Sequence, residues 1–347
     1  MNVPIYRLTE LKTDLMSVLS RLCCRLRSCP SSVSRQEVRQ EVRQFRQLRG
    51  RSGLRGDRVV VQPEVSPPSP PSWSDLVRPG LFTVLVTGGS LAGCAVWQYE
   101  RMRRQARQAR MFGLSWPGGR RKVGVWREEM RQWWAGLTDG QRLFWPLCGA
   151  NLLVFAGWRV PALQSFMMKW FTCGPSGPAK CLPMLLSAFS HYAPLHLACN
   201  MYVLHSFISP AVKLLGPEQF LGVYLSSGVV SSYCSMIYKV AVRSSGLSLG
   251  ASGAICCVLG MFGCFLPDTK LSIVFLPMIT FSAGTAIKGM MALDTAGMLL
   301  RWSYLDHAAH LGGLLSGVAW AHYGTGEVWA RREALVTAWH RLRTGRD

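Results

Sequence analysis

Long apolar runs separated by short polar or basic stretches dominate the chain from residue 81 onward. The first run, residues 81–99, is long enough for a helix to cross the hydrocarbon core of a bilayer. Six further apolar runs follow residue 142, at 143–160, 195–215, 220–238, 251–266, 271–287 and 308–323. This pattern predicts an all-α polytopic membrane protein in which one leading transmembrane helix precedes a six-helix core at 143–325, a 1+6 arrangement.

Polar side chains stand near the start of three core runs, where apolar ones would be expected. His196 and Asn200 open the second run and share one helix face, Ser252 opens the fourth, and His310 precedes the sixth. If consecutive spans alternate in direction, these three helices are parallel and their starts meet on one side of the membrane. A lone serine more often bonds to a carbonyl one turn back, and a lone His–Asn pair could simply join two helices. Because all three runs carry their polar group at the same end, we predict one buried cluster.

The four side chains of this cluster suit peptide hydrolysis. A serine hydroxyl is a weak nucleophile until a neighbouring base takes its proton, and a neutral His310 could do this for Ser252. The resulting oxyanion needs preorganised donors. Candidates are the His196 ring, the Asn200 amide and the Ser252 N–H at the positive end of its helix. We therefore predict an intramembrane serine protease with Ser252 and His310 as catalytic residues, and with His196 and Asn200 at the oxyanion.

Three short motifs carry a resemblance to a known family. They are His196-Leu-Ala-Cys-Asn200, Gly250-Ala-Ser252-Gly253 and His310-Leu-Gly312-Gly313, and together they match the signatures of the rhomboid family of intramembrane proteases. The resemblance covers roughly residues 143–345, and the 1+6 layout is similar to that of mitochondrial members.

This resemblance implies a Ser–His dyad without an acid and no metal or other cofactor. It implies single-span membrane proteins as substrates within the lipid bilayer, and membrane scaffold or protease partners are further candidates. The implied location is the mitochondrial inner membrane, as a multi-pass protein, with roles in protein processing, mitophagy and apoptosis control.

Two departures from the family and two other functions stay open. Many bacterial rhomboids carry a tyrosine one turn after the serine, where this chain has Cys256, and an acidic residue in the region that here holds Val212 and Lys213. A catalytically inactive relative would bind or chaperone membrane proteins, but such relatives typically lack the serine or the histidine. A transporter or channel would line a path across the bilayer with polar groups rather than gather them at one end.

Charge divides the chain into a basic part and an apolar part. There are 39 Lys and Arg against 18 Asp and Glu, a net charge of +21 that is concentrated before residue 131. No aromatic and basic RNA-binding signature accompanies it, so nucleic acid is not expected as a partner. Residues 1–60 are Arg-rich with leucines at helical spacing, which is typical of a mitochondrial leader, although Glu10, Asp14, Glu37 and Glu41 count against it. We expect a Pro/Ser-rich linker at 61–80, a basic loop at 100–142 and a basic tail at 326–347.

Two histidines three residues apart compete for the role of base. His307 would lie about 4.5 Å nearer the surface than His310, in the polar approach beside Asp306. His310 instead stands immediately before its apolar run, at the depth expected for Ser252. We therefore predict His310 as the base and expect Asp306 to cap the helix or meet water without a catalytic role. Cys173 and Cys181 share one loop and could pair in an oxidising compartment.

Overall fold

The computed structural model describes residues 71–112, 125–273 and 276–345. The predicted leader at 1–60 and the first part of the predicted linker lie outside the described residues. Within them, Cys173 and Cys181 are separate free thiols.

Helices make up most of the described chain, which confirms the mostly helical character. Their bounds are α1 Val77–Phe112, α2 Val125–Gly136, α3 Asp139–Gly157, α4 Gln164–Trp170, α5 Leu182–Leu186, α6 Pro194–Leu215, α7 Pro217–Ala241, α8 Ser252–Phe265, α9 Ala283–Leu299, α10 His307–Ala319 and α11 Glu333–Thr344. A two-stranded antiparallel hairpin, β1 Lys270–Ile273 and β2 Leu276–Ser282, precedes α9.

Two of the described helices are long and apolar enough by themselves to cross a membrane, namely Trp73–Arg110, which contains most of α1, and α7. A third candidate is the pair formed by α3 and the helical segment Pro161–Trp170, which is bent by 98°. The remaining core helices are shorter or more polar. Membrane-spanning helices are therefore present, while the 1+6 count stays a prediction.

The leading helix α1 is longer than the apolar run that predicted it. It has 36 residues, and its last turns carry the first part of the stretch expected to be a basic loop. Arginine and glutamine are good helix formers, so nothing in the sequence ends the helix where the apolar residues stop. α1 packs along α7, where a Cβ atom on Gly222 would stand 3.2 Å from Leu91 Cδ2.

The fifth predicted span, 271–287, is not one helix. Its first part forms the β1–β2 hairpin, and α9 begins only at Ala283, where the Ser282 side chain accepts a hydrogen bond from the Thr285 N–H. The reason is local: the run is rich in β-branched and aromatic residues, and the proline at position 277 cannot donate to a helix. Asp294 lies between the predicted runs 271–287 and 308–323, where a loop was expected, but it is buried within α9.

The helix α8 lies at the centre of the bundle, packed against α6, α7, α9 and α10. Its contact with α10 depends on glycine, because a Cβ on Gly313 would come 2.1 Å from the Gly253 carbonyl oxygen. A Cβ on Gly317 would likewise come 2.1 Å from the Cys257 carbonyl oxygen. Small residues allow helix backbones to approach this closely. The start of α8 is thereby held beside the start of α10.

The predicted basic tail at 326–347 is largely structured. A π-helical segment, Trp320–Trp329, and a short 3-10 turn continue α10 into α11. There His340 Nδ1 lies 2.6 Å from the Tyr99 hydroxyl and the Trp339 indole donates to Glu100 at 3.1 Å. The tail therefore packs against the second half of α1.

Candidate active site

The starts of α8 and α10 bring one serine and one histidine into contact. Ser252 is the first residue of α8, and His310 lies in the first turn of α10. The His310 Nε2 atom is 2.9 Å from Ser252 Oγ, which is hydrogen-bond distance. The glycine contact between the two helices fixes this distance through the backbone. A neutral imidazole at this position can accept the proton of the hydroxyl.

The turn before Ser252 is fixed by a buried loop. Gly250 adopts a φ of +132°, a conformation that L side chains rarely adopt. Its N–H donates to the Ser187 carbonyl oxygen at 2.9 Å, and the Ala251 N–H donates to His191 Nε2 at 3.3 Å. With these two bonds in place, the Ser252 N–H begins the helix without an intrahelical acceptor, as every first-turn N–H does.

The two predicted oxyanion residues occupy different positions. His196 lies beside Gly250, where an added Cβ would come 2.8 Å from the ring carbon Cε1, and its ring lines the same cavity as Ser252. Asn200 is buried one turn further along α6, and its amide donates to the His196 carbonyl oxygen at 2.9 Å. One of its two amide protons is therefore used within its own helix, and Asn200 is not part of the cavity wall.

A cavity of about 540 Å³ surrounds this cluster. Its walls come from α6, α7, α8, α9 and α10 and from the loops that precede α8 and α10. The loop before α10 contributes large exposed apolar side chains, and Tyr304 is the most exposed of them at 92%. The cavity therefore brings the Ser252 and His310 side chains together with exposed apolar side chains from the loop before α10.

The Asp306 side chain caps α10 and makes no hydrogen bond to the His310 ring, although the Asp306 backbone carbonyl accepts the His310 N–H at 3.0 Å. Its Oδ1 atom accepts the Ala309 N–H at 3.0 Å, while Oδ2 lies 3.1 Å from Lys239 Nζ. The hydroxyls of Ser235 and Ser248 also donate to Oδ2. Burial by itself would raise the pKa of the Asp306 carboxyl, but Lys239 and the two hydroxyls outweigh it and hold that pKa below its ordinary value.

His307 is not in a polar approach, contrary to what the sequence suggested. Its side chain is only 5% exposed, and Nδ1 lies 2.8 Å from Asp294 Oδ1 on α9. The ring also packs edge-on against Trp302, with 5.8 Å between centroids. The loop before α10 folds over His307 and buries it. Its position at the edge of the apolar run had suggested an exposed side chain. His307 faces α9, whereas His310 faces Ser252.

Sequence reasoning missed two residues of this site, His191 and Asp294. Asp294 had a usable signal, because an acidic residue within an apolar stretch marks a functional position by default. It was overlooked because the helix was placed about twelve residues too early. His191 is fully buried and holds the turn before Ser252, but it precedes its helix in a loop, where no periodicity singles it out.

Known proteins resemble this chain over most of its length. A model of the Rhomboid domain matches residues 178–326. Presenilin-associated rhomboid-like protein, mitochondrial, of Homo sapiens is 47% identical over 288 residues, which is 82% of this chain and 76% of that protein. Presenilin-associated rhomboid-like protein A, mitochondrial, of Danio rerio is 41% identical over 310 residues, covering 83% of this chain and 81% of that protein. Rhomboid protein 1, mitochondrial, of Saccharomyces cerevisiae is 34% identical over 203 residues, 58% of each chain. These likenesses confirm the resemblance drawn from the three motifs and the predicted mitochondrial location.

Proposed function

The chain belongs to the rhomboid family, and from this premise we propose that it is a serine endopeptidase that cleaves single-span membrane proteins within mitochondrial membranes. The observation that carries the proposal is the 2.9 Å contact between Ser252 Oγ and His310 Nε2 at the starts of two glycine-packed helices. An inactive relative that only binds membrane proteins would have no need of this contact.

The reaction proceeds in two halves. His310 takes the Ser252 proton as Oγ attacks the peptide carbonyl, and the imidazolium then gives that proton to the departing amine. Water hydrolyses the acyl-enzyme ester with His310 again acting as base. In this proposal the Ser252 N–H and the His196 ring donate to the oxyanion, and the Asn200 amide joins them only if its side chain turns towards the cavity.

A fluorophosphonate probe tests the nucleophile directly. Purified protein in liposomes should be labelled at Ser252 and should cleave a single-span substrate, and Ser252→Ala should lose both. Ser227→Ala is the matched control, because Ser227 is also buried in a membrane helix and its hydroxyl bonds to the Tyr224 carbonyl at 3.0 Å. Labelling that is equal in wild type and Ser252→Ala would contradict the proposal.

The location within mitochondria is a separate proposal. We place the protein in the inner membrane as a multi-pass protein that acts in protein processing, mitophagy and apoptosis control. Residues 1–60 would then serve as an import leader and be removed. Sequencing the N-terminus of protein purified from mitochondria tests this, since a mature chain that still starts at Met1 contradicts import through a cleaved leader.

A further inference from the structure

A buried carboxylate faces the side of the His310 ring that points away from Ser252. Asp294 lies in the middle of α9, and its side chain is only 6% exposed. Its Oδ1 atom lies 3.5 Å from His310 Nδ1, while the other ring nitrogen of His310 contacts Ser252. The Ser252 hydroxyl and the Asp294 carboxylate therefore lie at the two nitrogens of the His310 ring. The three residues belong to α8, α9 and α10.

The surroundings of Asp294 hold it in this position. Its Oδ1 also lies 2.8 Å from His307 Nδ1, one turn before His310 on the same helix. Gly297 packs under the His307 ring, where an added Cβ would come 2.4 Å from the ring carbon Cδ2. The backbone of α9 is thus close to α10 at this level, and the Asp294 carboxylate lies beside both histidines.

We propose that Asp294 is a positioning residue for the base His310. Nε2 of a neutral imidazole can accept the serine proton only when the ring's own proton is on Nδ1, and a carboxylate beside Nδ1 favours that tautomer. The same negative charge stabilises the imidazolium that forms once the serine proton has moved. The inference replaces the acid-free dyad with a Ser252–His310–Asp294 arrangement and rests on the proposed protease function.

The 3.5 Å distance fits a resting enzyme. It exceeds a normal N–H···O hydrogen bond, because the shorter contact of Asp294 Oδ1 is with His307. Catalytic hydrogen bonds are often long before substrate binds and tighten during the reaction. As positive charge develops on His310, the carboxylate is drawn towards it, and His307 keeps the carboxylate within reach.

The chain also lacks the tyrosine that orients the ring in many bacterial rhomboids. Cys256 takes that place, and it packs with Ile287 and Leu314 in an apolar cluster between α8, α9 and α10. Aromatic stacking from α8 is therefore absent at this position. A carboxylate on the neighbouring helix provides another means of fixing the ring.

Four proteins assayed side by side test the inference: wild type, Ser252→Ala, Asp294→Asn and His307→Asn. Asparagine at 294 keeps the shape of the side chain and removes its charge, and asparagine at 307 can place its amide nitrogen near the former Nδ1. Each is purified in liposomes, its unfolding midpoint is measured, and kcat and KM are determined on one single-span substrate. We expect Asp294→Asn to lower kcat at least about tenfold with KM little changed, and His307→Asn to keep a much higher kcat.

The outcomes separate positioning from simple helix attachment. If Asp294 only joins α9 to α10 through His307, the two asparagine variants lose kcat equally, and the inference is overturned. A wild-type kcat in Asp294→Asn also overturns it. Should Asp294→Asn fail to fold, folded His307→Asn decides: retained kcat supports the inference, and a tenfold loss contradicts it. If wild type does not cleave, or Ser252→Ala cleaves equally well, the proposed protease function fails instead.

Discussion

The helix α10 meets two of its neighbours, α8 and α9, in opposite ways. Towards α8 it presents Gly313 and Gly317, so that backbone touches backbone with no room for a Cβ atom. Towards α9 it presents His307, which meets the carboxylate of Asp294. The glycine face fixes how far Ser252 and His310 stand apart, and in the proposed arrangement Asp294 on the polar face orients the His310 ring. Distance and orientation, the two requirements of proton transfer, are thus set by different kinds of contact.

The largest expected effect comes from removing the imidazole of His310, which lies between Ser252 on α8 and Asp294 on α9. His310→Ala should abolish cleavage as fully as Ser252→Ala, a loss of about a thousandfold or more. His307→Ala and Asp306→Asn should each keep a measurable rate, because neither side chain contacts Ser252. Initial rates of the four purified variants on one substrate decide this. If His307→Ala is the inactive variant, the assignment of the base is wrong.

A side chain forced into the glycine face should cost mainly stability. Gly317→Leu places its side chain against the Cys257 carbonyl and should lower the free energy of unfolding by about 3 kcal/mol, the upper part of the range for overpacking. The matched control is Gly149→Ala on α3, since an added Cβ there meets nothing within 4 Å. Denaturant unfolding in detergent measures both. Equal stability in the two variants would mean that the α8–α10 contact is not as close as described.

The partly buried carboxylate of Asp306 supports α10 by capping its first turn. Asp306→Asn removes the partner of Lys239, whose side chain is only 10% exposed, and should cost about 2 kcal/mol. The pKa of Asp306 is lowered in the folded protein. Its contribution to stability is therefore present above the ordinary carboxyl range near pH 4 and lost as pH falls through the lower folded value.

Unfolding midpoints measured against pH test this contribution. The difference between wild type and Asp306→Asn should be constant near neutral pH and shrink only in acid. A difference that instead shrinks as pH rises towards neutrality would contradict the sign of the shift.

The sequence predicts helix bounds well where one apolar run forms one helix. The second, third and fourth core runs match α6, α7 and α8 to within about three residues, and the break between α6 and α7 falls at Gly216 and Pro217, which separate the two apolar runs. The Ser252–His310 contact was also predictable, since parallel helices place equivalent ends together. The fifth run failed because hydrophobicity does not distinguish a strand from a helix. That error moved Asp294 into a loop, and the exposure of His307 depended on a loop fold that no local pattern encodes.

The smallest expected effect concerns glycine in the substrate instead of the enzyme. Within the bundle, glycine lets intact helices approach, but in a substrate it makes a helix easier to unwind. An intact membrane helix hides its carbonyls in its own hydrogen bonds, and Ser252 stands at the very start of α8, where it lines a cavity of about 540 Å³. A substrate helix must therefore unwind near the membrane surface before a carbonyl can reach the hydroxyl.

Adding glycine or proline to the upper turn of a poorly cleaved substrate should therefore speed cleavage about threefold to tenfold, a change of up to about 1.4 kcal/mol in the barrier. The same substitutions in the lower half of that helix, which does not enter the cavity, serve as the control and should change the rate little. Small residues at the cut should also be preferred. If several substrates respond equally to upper and lower substitutions, unwinding of the substrate helix at the cavity does not limit the rate of cleavage.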